Sequence, residues 1–96
     1  MINQTIFQEV ANERVRQDEK WGADRNMPLL EWWAILSEEY GEVAHEVTDY
    51  HFETHKATRG VYLNLMRAEL IQTAAVCVAM IEAIDAIDRE DFWRSV

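Results

Sequence analysis

Acidic side chains in the middle of the chain have a spacing that favours metal binding. Glu38, Glu39 and Glu42 fall within little more than one helical turn, and helical residues three and four positions apart share a face. Like charges at this spacing destabilise an isolated helix, so the cluster is expected to need a compensating cation. The other interpretation is a solvated charged face, and periodicity alone supports it equally well.

A second pair of oxygen-bearing side chains, Glu69 and Gln72, opens the most apolar part of the sequence, residues 70–84. A carboxylate in such a segment costs free energy unless it is paired with a cation or bound to a metal. Arg14 or Arg67 offers one means of neutralising it. Alternatively, antiparallel packing of the two helices brings the acidic residues face to face. The resulting oxygen-lined site is the kind that Mg²⁺ or Mn²⁺ prefers.

Other metals fit the pattern less well. Glu42 and His45 form the Glu-x-x-His motif of di-iron helix bundles, but those sites need the motif twice. The later helix offers Glu69 and Gln72 instead, which argues against di-iron. Zinc is disfavoured because histidine and cysteine are not paired in the sequence. The single cysteine, Cys77, lies in an apolar run and is expected to be a buried small residue in a reducing compartment.

Apolar residues recur at helical spacing along most of the chain, and no segment alternates with the period of a strand. The sequence predicts an all-α single domain over residues 1–96, with Thr5 as the first N-cap and a loop or ordered flap at 51–60. Phe92 and Trp93 in the tail are expected to dock on the helices. The predicted helices run from about Thr5 to Glu19, from Pro28 to Tyr50 and from Tyr62 to Asp88.

The amount of apolar sequence exceeds what one short helical layer buries. Apolar residues make up 49% of the 96 residues and include four Trp. Residues 70–84 are apolar nearly all round, which is typical of a helix buried on more than one side. A second subunit must supply part of the cover, so we expect a helical bundle assembled between subunits of a homodimer or tetramer.

The charge balance restricts the partners. Eighteen acidic and nine basic residues give a net charge of −9, which repels nucleic acid and anionic membranes. Nucleotides remain compatible because a bound cation reverses the local field. We expect no membrane span, since residues 70–84 are shorter than the roughly 18 apolar residues that a span needs. No signal peptide is expected at the N-terminus either, so a cytoplasmic location is predicted.

A family resemblance appears at the acidic residues. Glu38, Glu39 and Glu42, followed after a variable gap by Glu69, are similar to the Glu-Glu-x-x-Glu and Glu-x-x-Asp motifs of the MazG-like all-α nucleoside triphosphate pyrophosphatases. The segment 13–22, which ends in Lys-Trp-Gly, resembles the opening of the small phage-like members. The resemblance covers roughly residues 5–88 and includes 70–76 as part of the third helix.

The resemblance implies a function. Its members hydrolyse a nucleoside triphosphate, for the phage-like branch a purine dNTP such as dGTP or dATP, to the monophosphate and pyrophosphate with Mg²⁺ or Mn²⁺. The setting implied is the cytoplasm of a bacterium or of a phage-infected host. By carry-over, Glu39, Glu42 and Glu69 are metal ligands. Glu38 either activates the attacking water or is a further ligand in the outer coordination sphere. Gln72, which stands where the family usually has Asp, is either a weaker direct ligand or one that acts through a water molecule.

Basic side chains must hold the phosphates if the resemblance is valid. The first candidates are Lys20 and Arg67, followed by Arg16, Arg14 and Lys56. Each of them could instead be a surface ion-pair partner. Trp21 either stacks on the base or plugs the junction of the first two helices. The competing function is a helical oligomerisation or regulatory module whose acidic face binds a basic protein, which needs no metal and no buried Glu69. A more distant alternative is a protein that binds nucleotide without cleaving it.

Overall fold

The computed structural model describes residues 3–23 and 27–87. It contains three α-helices: α1 (Gln4–Trp21), α2 (Leu29–Phe52) and α3 (Lys56–Asp85). No strand occurs in these two ranges, so the predicted all-α class is confirmed. None of the described helices is long and apolar enough to cross a membrane. The predicted docking of Phe92 and Trp93 lies outside the described residues. The predicted end of the third helix at Asp88 is wrong, because α3 ends at Asp85 and Ala86 is its C-cap.

Helix α1 begins earlier than predicted. Asn3, and not Thr5, is the N-cap, because its side-chain oxygen accepts a hydrogen bond from the Thr5 backbone N–H at 2.9 Å. The helix ends at Gly22, whose φ of 94° lies in the left-handed region that only glycine adopts without strain. There the Gly22 N–H donates to the carbonyl of Asp18 at 2.8 Å, which satisfies a carbonyl at the helix end.

The loop predicted at 51–60 is wrong. Helix α2 continues to Phe52 and α3 begins at Lys56, which leaves only residues 53–55 as the connection. His55 caps α3 because a ring nitrogen accepts the Thr58 backbone N–H at 3.4 Å. The last turn of α2 and the first turn of α3 could not be predicted from hydrophobic periodicity, because their residues are mostly polar and largely exposed. So short a connection makes α2 and α3 an antiparallel hairpin.

Helix α3 packs against both other helices. Trp32 of α2, 4% exposed, forms the core with Val76 and Ala79 of α3. On the other flank Arg67 pairs with Glu9, and Arg14 of α1 pairs with Glu82. Glu9 precedes Arg14 along α1, and their partners Arg67 and Glu82 follow in the same order along α3. Helix α1 therefore runs parallel to α3 and antiparallel to α2.

The single chain leaves much apolar surface uncovered. Leu70 and Ile81 of α3 are 49% and 56% exposed, and Trp33 and Tyr40 of α2 are 57% and 71% exposed. Cys77 is exposed as well, so its predicted burial is wrong for the chain alone. The reason is geometric: Cys77 faces away from α1 and lines a surface groove of about 400 Å³ with Trp33 and Tyr40.

Candidate metal centre

Three carboxylates from two helices converge on one point. Glu39 and Glu42 lie one turn apart on α2, and Glu69 projects from α3. One oxygen of each lies within 4.8 Å of the others. The antiparallel packing of α2 on α3 produces this arrangement, because the same pairing places Trp32 against Val76 further along the two helices. The pairing of the two helices in the core therefore sets the positions from which the three side chains converge.

Neither arginine suggested by the sequence neutralises the cluster. Arg14 donates to Glu82 at 2.9 Å, and Arg67 donates to Glu9 at 2.9 Å. The interpretation of Glu69 as an ion-pair partner of these arginines is wrong, because both guanidinium groups form ion pairs between α1 and α3. Within residues 3–23 and 27–87, the Oε2 atoms of Glu39 and Glu69 are buried without a hydrogen-bond donor.

The unpaired oxygens have an electrostatic consequence. Burial, followed by the neighbouring Glu42 and Glu39, raises the pKa of Glu69 to about 7. Burial, followed by the negative charge of Glu42, also raises the pKa of Glu39. A divalent cation would reverse both effects, since it brings two positive charges directly to the carboxylates. Three carboxylate oxygens at this spacing suit a hard cation such as Mg²⁺ or Mn²⁺.

The raised pKa of Glu69 predicts the pH dependence of the metal-free protein. The folded state holds this proton more tightly than the unfolded chain, where the pKa returns to an ordinary value near 4.5. The contribution of Glu69 to stability in EDTA should therefore be fullest below about 4.5 and be lost as the pH rises through about 7. Urea denaturation at a series of pH values measures this slope. The Glu69→Gln variant should flatten it, and an unchanged slope in that variant would contradict the assignment.

A cavity of about 360 Å³ adjoins the carboxylates. It contains several residues that the sequence singled out. Its apolar wall consists of Trp21, Trp32, Ile35 and Val76. Its polar wall consists of Arg16, Gln17, Glu38, Glu39 and Gln72.

Glu38 occupies the boundary between this cavity and a second, open depression. The depression has a volume of about 610 Å³ and is bordered by Glu42, His45, Glu46 and Glu69 as well as by Glu38. Glu38 is exposed, so water reaches its carboxylate directly. It can thus accept a proton beside the cluster without itself being enclosed in it.

Gln72 lies in the cavity beside Glu39. We predict that Gln72→Asp folds normally and tightens metal binding by about tenfold, the scale seen when side chains around a metal site are changed. The negative charge added by Asp is the cause of the tighter binding. Gln72→Asn is therefore the matched control, because Asn has the same length as Asp without the charge. Calorimetric titration with Mn²⁺ measures both variants. Equal affinity of Gln72→Asp and the parent would place Gln72 outside the coordination sphere.

The candidate phosphate-binding residues separate into two groups. Arg16 lines the cavity, where its guanidinium pairs with Glu13 and is held near the charge of Glu39. Lys20 places its ammonium 4.7 Å from the ring centroid of Trp21, another cavity residue. Arg67 lies elsewhere. It is two residues before Glu69, about 200° around the helix, and it points towards α1.

Two residues of the site were not found by sequence reasoning. Gln17 is 3% exposed and contributes to the cavity wall. The sequence contained a signal for Gln17, because it is four residues before Trp21 and therefore shares the inward face of α1. Glu46 borders the open depression and has a buried Oε2 atom without a hydrogen-bond partner among the described residues. It follows Glu42 by one turn, so it extends the same acidic face.

Comparison with known proteins gives no relative from which a function can be transferred. No family model matches the chain. No curated protein matches its sequence. No solved structure matches it either. The function must therefore be inferred from the site.

Proposed function

We propose that the protein is a metal-dependent nucleoside triphosphate pyrophosphohydrolase of the MazG type. The observation that carries the proposal is the convergence of Glu39, Glu42 and Glu69 within 4.8 Å beside a tryptophan-lined cavity. Arg14 and Arg67 form ion pairs elsewhere. A carboxylate cluster of this kind calls for a divalent cation, and a cation beside a cavity can carry a phosphorylated ligand. The motif resemblance in the sequence supports the same activity.

Glu39, Glu42 and Glu69 would hold Mg²⁺ or Mn²⁺, and Gln72 would add its carbonyl oxygen. When bound, the ion neutralises and orients the triphosphate. The buried Oε2 atoms of Glu39 and Glu69 support this donor set, since each has an unused acceptor there. Gln72 offers a neutral oxygen, so it contributes less than the three carboxylates.

Glu38 is proposed as the general base. The oxygen of a water molecule forms a bond to the α-phosphorus, while a proton of that water passes to Glu38. The bond between the α-phosphorus and the α,β-bridging oxygen breaks, and pyrophosphate leaves with that oxygen. The products are a nucleoside monophosphate and pyrophosphate. The position of Glu38 at the boundary of the cavity and the open depression supports its role, because both water and phosphate can reach it.

The remainder of the nucleotide would occupy the cavity. Arg16 and Lys20 supply positive charge on the side formed by α1. Arg16 already pairs with Glu13, so a phosphate would compete with or share that guanidinium. Trp21 offers an aromatic face for the base. Arg67 is not proposed as a phosphate ligand because its guanidinium is held by Glu9 on the opposite flank of α3.

Product analysis tests the proposal. Purified protein is incubated with each NTP and dNTP in the presence of Mg²⁺ or Mn²⁺, and the products are separated by ion-exchange chromatography. At least one nucleotide should give the monophosphate and pyrophosphate in equal amounts. A diphosphate with inorganic phosphate would contradict cleavage between the α- and β-phosphates. The absence of turnover with every nucleotide would contradict the enzyme itself.

We further propose that two copies pack through the groove bounded by Trp33, Tyr40 and Cys77. Its lining presents apolar surface, which supports association by burial of that surface. Tyr40 follows Glu39 in sequence and is therefore turned by about 100° around α2, away from the carboxylates. The groove can consequently be covered while the metal centre stays open.

Light scattering at micromolar concentration should show a dimer or tetramer. Tyr40→Glu should dissociate it, because a charge buried at an apolar interface is strongly unfavourable. Phe52→Glu is the matched control, since Phe52 is 75% exposed at the far end of α2. A well-folded monomeric parent protein, or equal dissociation by both variants, would contradict this interface.

A further inference from the structure

The amide of Gln17 has a defined orientation. Its side chain is 3% exposed, and the Nη1 atom of Arg14 donates to its Oε1 atom at 3.5 Å. Arg14 is itself fixed by Asp18 and Glu82, at 3.0 and 2.9 Å. Because a guanidinium has donors only, the amide oxygen must face Arg14 and the amide nitrogen must face away from it. Within the described residues, that nitrogen donates no hydrogen bond to the protein.

Gln17 lies in the part of the cavity where a bound nucleobase would be expected. Glu39 lies about 10 Å from Trp32 along α2, so the cavity passes from carboxylates at one end to aromatic surface at the other. Helix α1 is antiparallel to α2, and the charge of Glu13 acts on Glu39. Gln17 is one turn further along α1, towards Trp21. It therefore lies between the metal end and the aromatic end.

We infer that Gln17 selects nucleobases that present a keto oxygen, as guanine, hypoxanthine, uracil and thymine do. This inference rests on the proposed function and names the substrate class of the same site. The N–H donors of Gln17 have no acceptor among the described residues and belong to the cavity wall, so they can satisfy a keto oxygen of a bound base. Adenine and cytosine carry an amino group at the corresponding position, so two donors would meet. A buried donor without an acceptor is costly, and such sites discriminate strongly.

Two substrate pairs test the inference on the unaltered protein. dITP and dATP differ at the 6-position of a purine, and dUTP and dCTP differ at the 4-position of a pyrimidine. The keto member of each pair should have a kcat/KM at least about tenfold higher. Binding of the same nucleotides, followed by tryptophan fluorescence with Ca²⁺ in place of Mg²⁺, should show the same order. Equal values, or a preference for the amino members, would overturn the inference.

A variant assigns the preference to Gln17. Gln17→Glu replaces the N–H donors with acceptor oxygens, so the ratio of keto to amino substrates should fall by about tenfold or reverse. Gln8→Glu, on the exposed side of α1, should leave the ratio unchanged. A ratio unaffected by Gln17→Glu would overturn the assignment. Hydrolysis without base preference would refute this inference alone, whereas nucleotide binding with the predicted order but no hydrolysis would refute only the catalytic activity.

Discussion

Replacing Glu39, Glu42 or Glu69 by glutamine should remove most of the turnover with Mg²⁺ and leave the metal-free protein at least as stable as the parent. Glutamine keeps the shape of each side chain and removes one negative charge. In EDTA the carboxylates repel one another, because Arg14 and Arg67 are paired elsewhere and Arg16 pairs with Glu13. Each substitution therefore relieves repulsion when metal is absent and deprives the cation of a ligand when it is present.

The expected effects are large, and turnover falls whereas stability in EDTA rises. Turnover should fall at least about a hundredfold, the scale set by removal of one group that stabilises charge in a transition state. In EDTA at pH 8, Glu69→Gln should stabilise the protein by about 1 kcal/mol, a value discounted for the solvent around a partly exposed group. For a domain of this size that corresponds to a rise in melting temperature of roughly 4–8 °C.

Glu82→Gln is the matched control for Glu69→Gln. It makes the same chemical change on the same helix, but Glu82 accepts a hydrogen bond from Arg14 at 2.9 Å. It should therefore lower stability, by up to about 1 kcal/mol, and leave turnover nearly unchanged. A destabilised Glu69→Gln that keeps full activity would refute the metal-site account. That result would favour an acidic face that binds a basic protein.

Chelation should abolish hydrolysis completely and reversibly. EDTA removes the ion that neutralises the triphosphate, and a cluster of three carboxylates then repels the substrate. Restoring Mg²⁺ or Mn²⁺ in excess over the chelator should restore the full rate. The readout is pyrophosphate release in an initial-rate assay.

The fold should survive chelation, which distinguishes loss of chemistry from loss of structure. The helices are held by the core of Trp32, Val76 and Ala79, and by ion pairs between α1 and α3. Far-ultraviolet circular dichroism in EDTA should therefore match that of the metal-loaded protein. Activity that persists in chelator would show that the carboxylates serve another purpose. Unfolding in chelator would show that the cation has a structural role.

Much of the fold could be predicted from the sequence because helical periodicity is a local property. The pairing of Glu39 and Glu42 on one face follows from their spacing alone. The residues around 51–60 could not be placed, since polar helical turns carry no apolar signal and cap formation by His55 depends on backbone geometry. The same limit explains the shift of the first N-cap from Thr5 to Asn3, as both residue types cap helices.

Contacts between helices were less accessible to sequence reasoning. Arg14 and Arg67 were both possible partners of Glu69, and only the packing of α1 on α3 assigns them to Glu82 and Glu9. Cys77 illustrates the same difficulty. An apolar run predicts burial, but the chain alone leaves this residue on a groove, because burial depends on what covers the helix from outside.

Calorimetric titration of the metal-free protein with Mn²⁺ near pH 7 measures directly whether the three carboxylates bind a cation. We predict saturable binding at the carboxylate cluster, with a proton released because the pKa of Glu69 lies at about 7 in the metal-free protein. Glu69→Gln should weaken the binding and remove that proton release, whereas Glu82→Gln should change neither. An absence of binding at millimolar Mn²⁺, or binding that Glu69→Gln leaves unchanged, would contradict the assignment of Glu39, Glu42 and Glu69 as a metal centre.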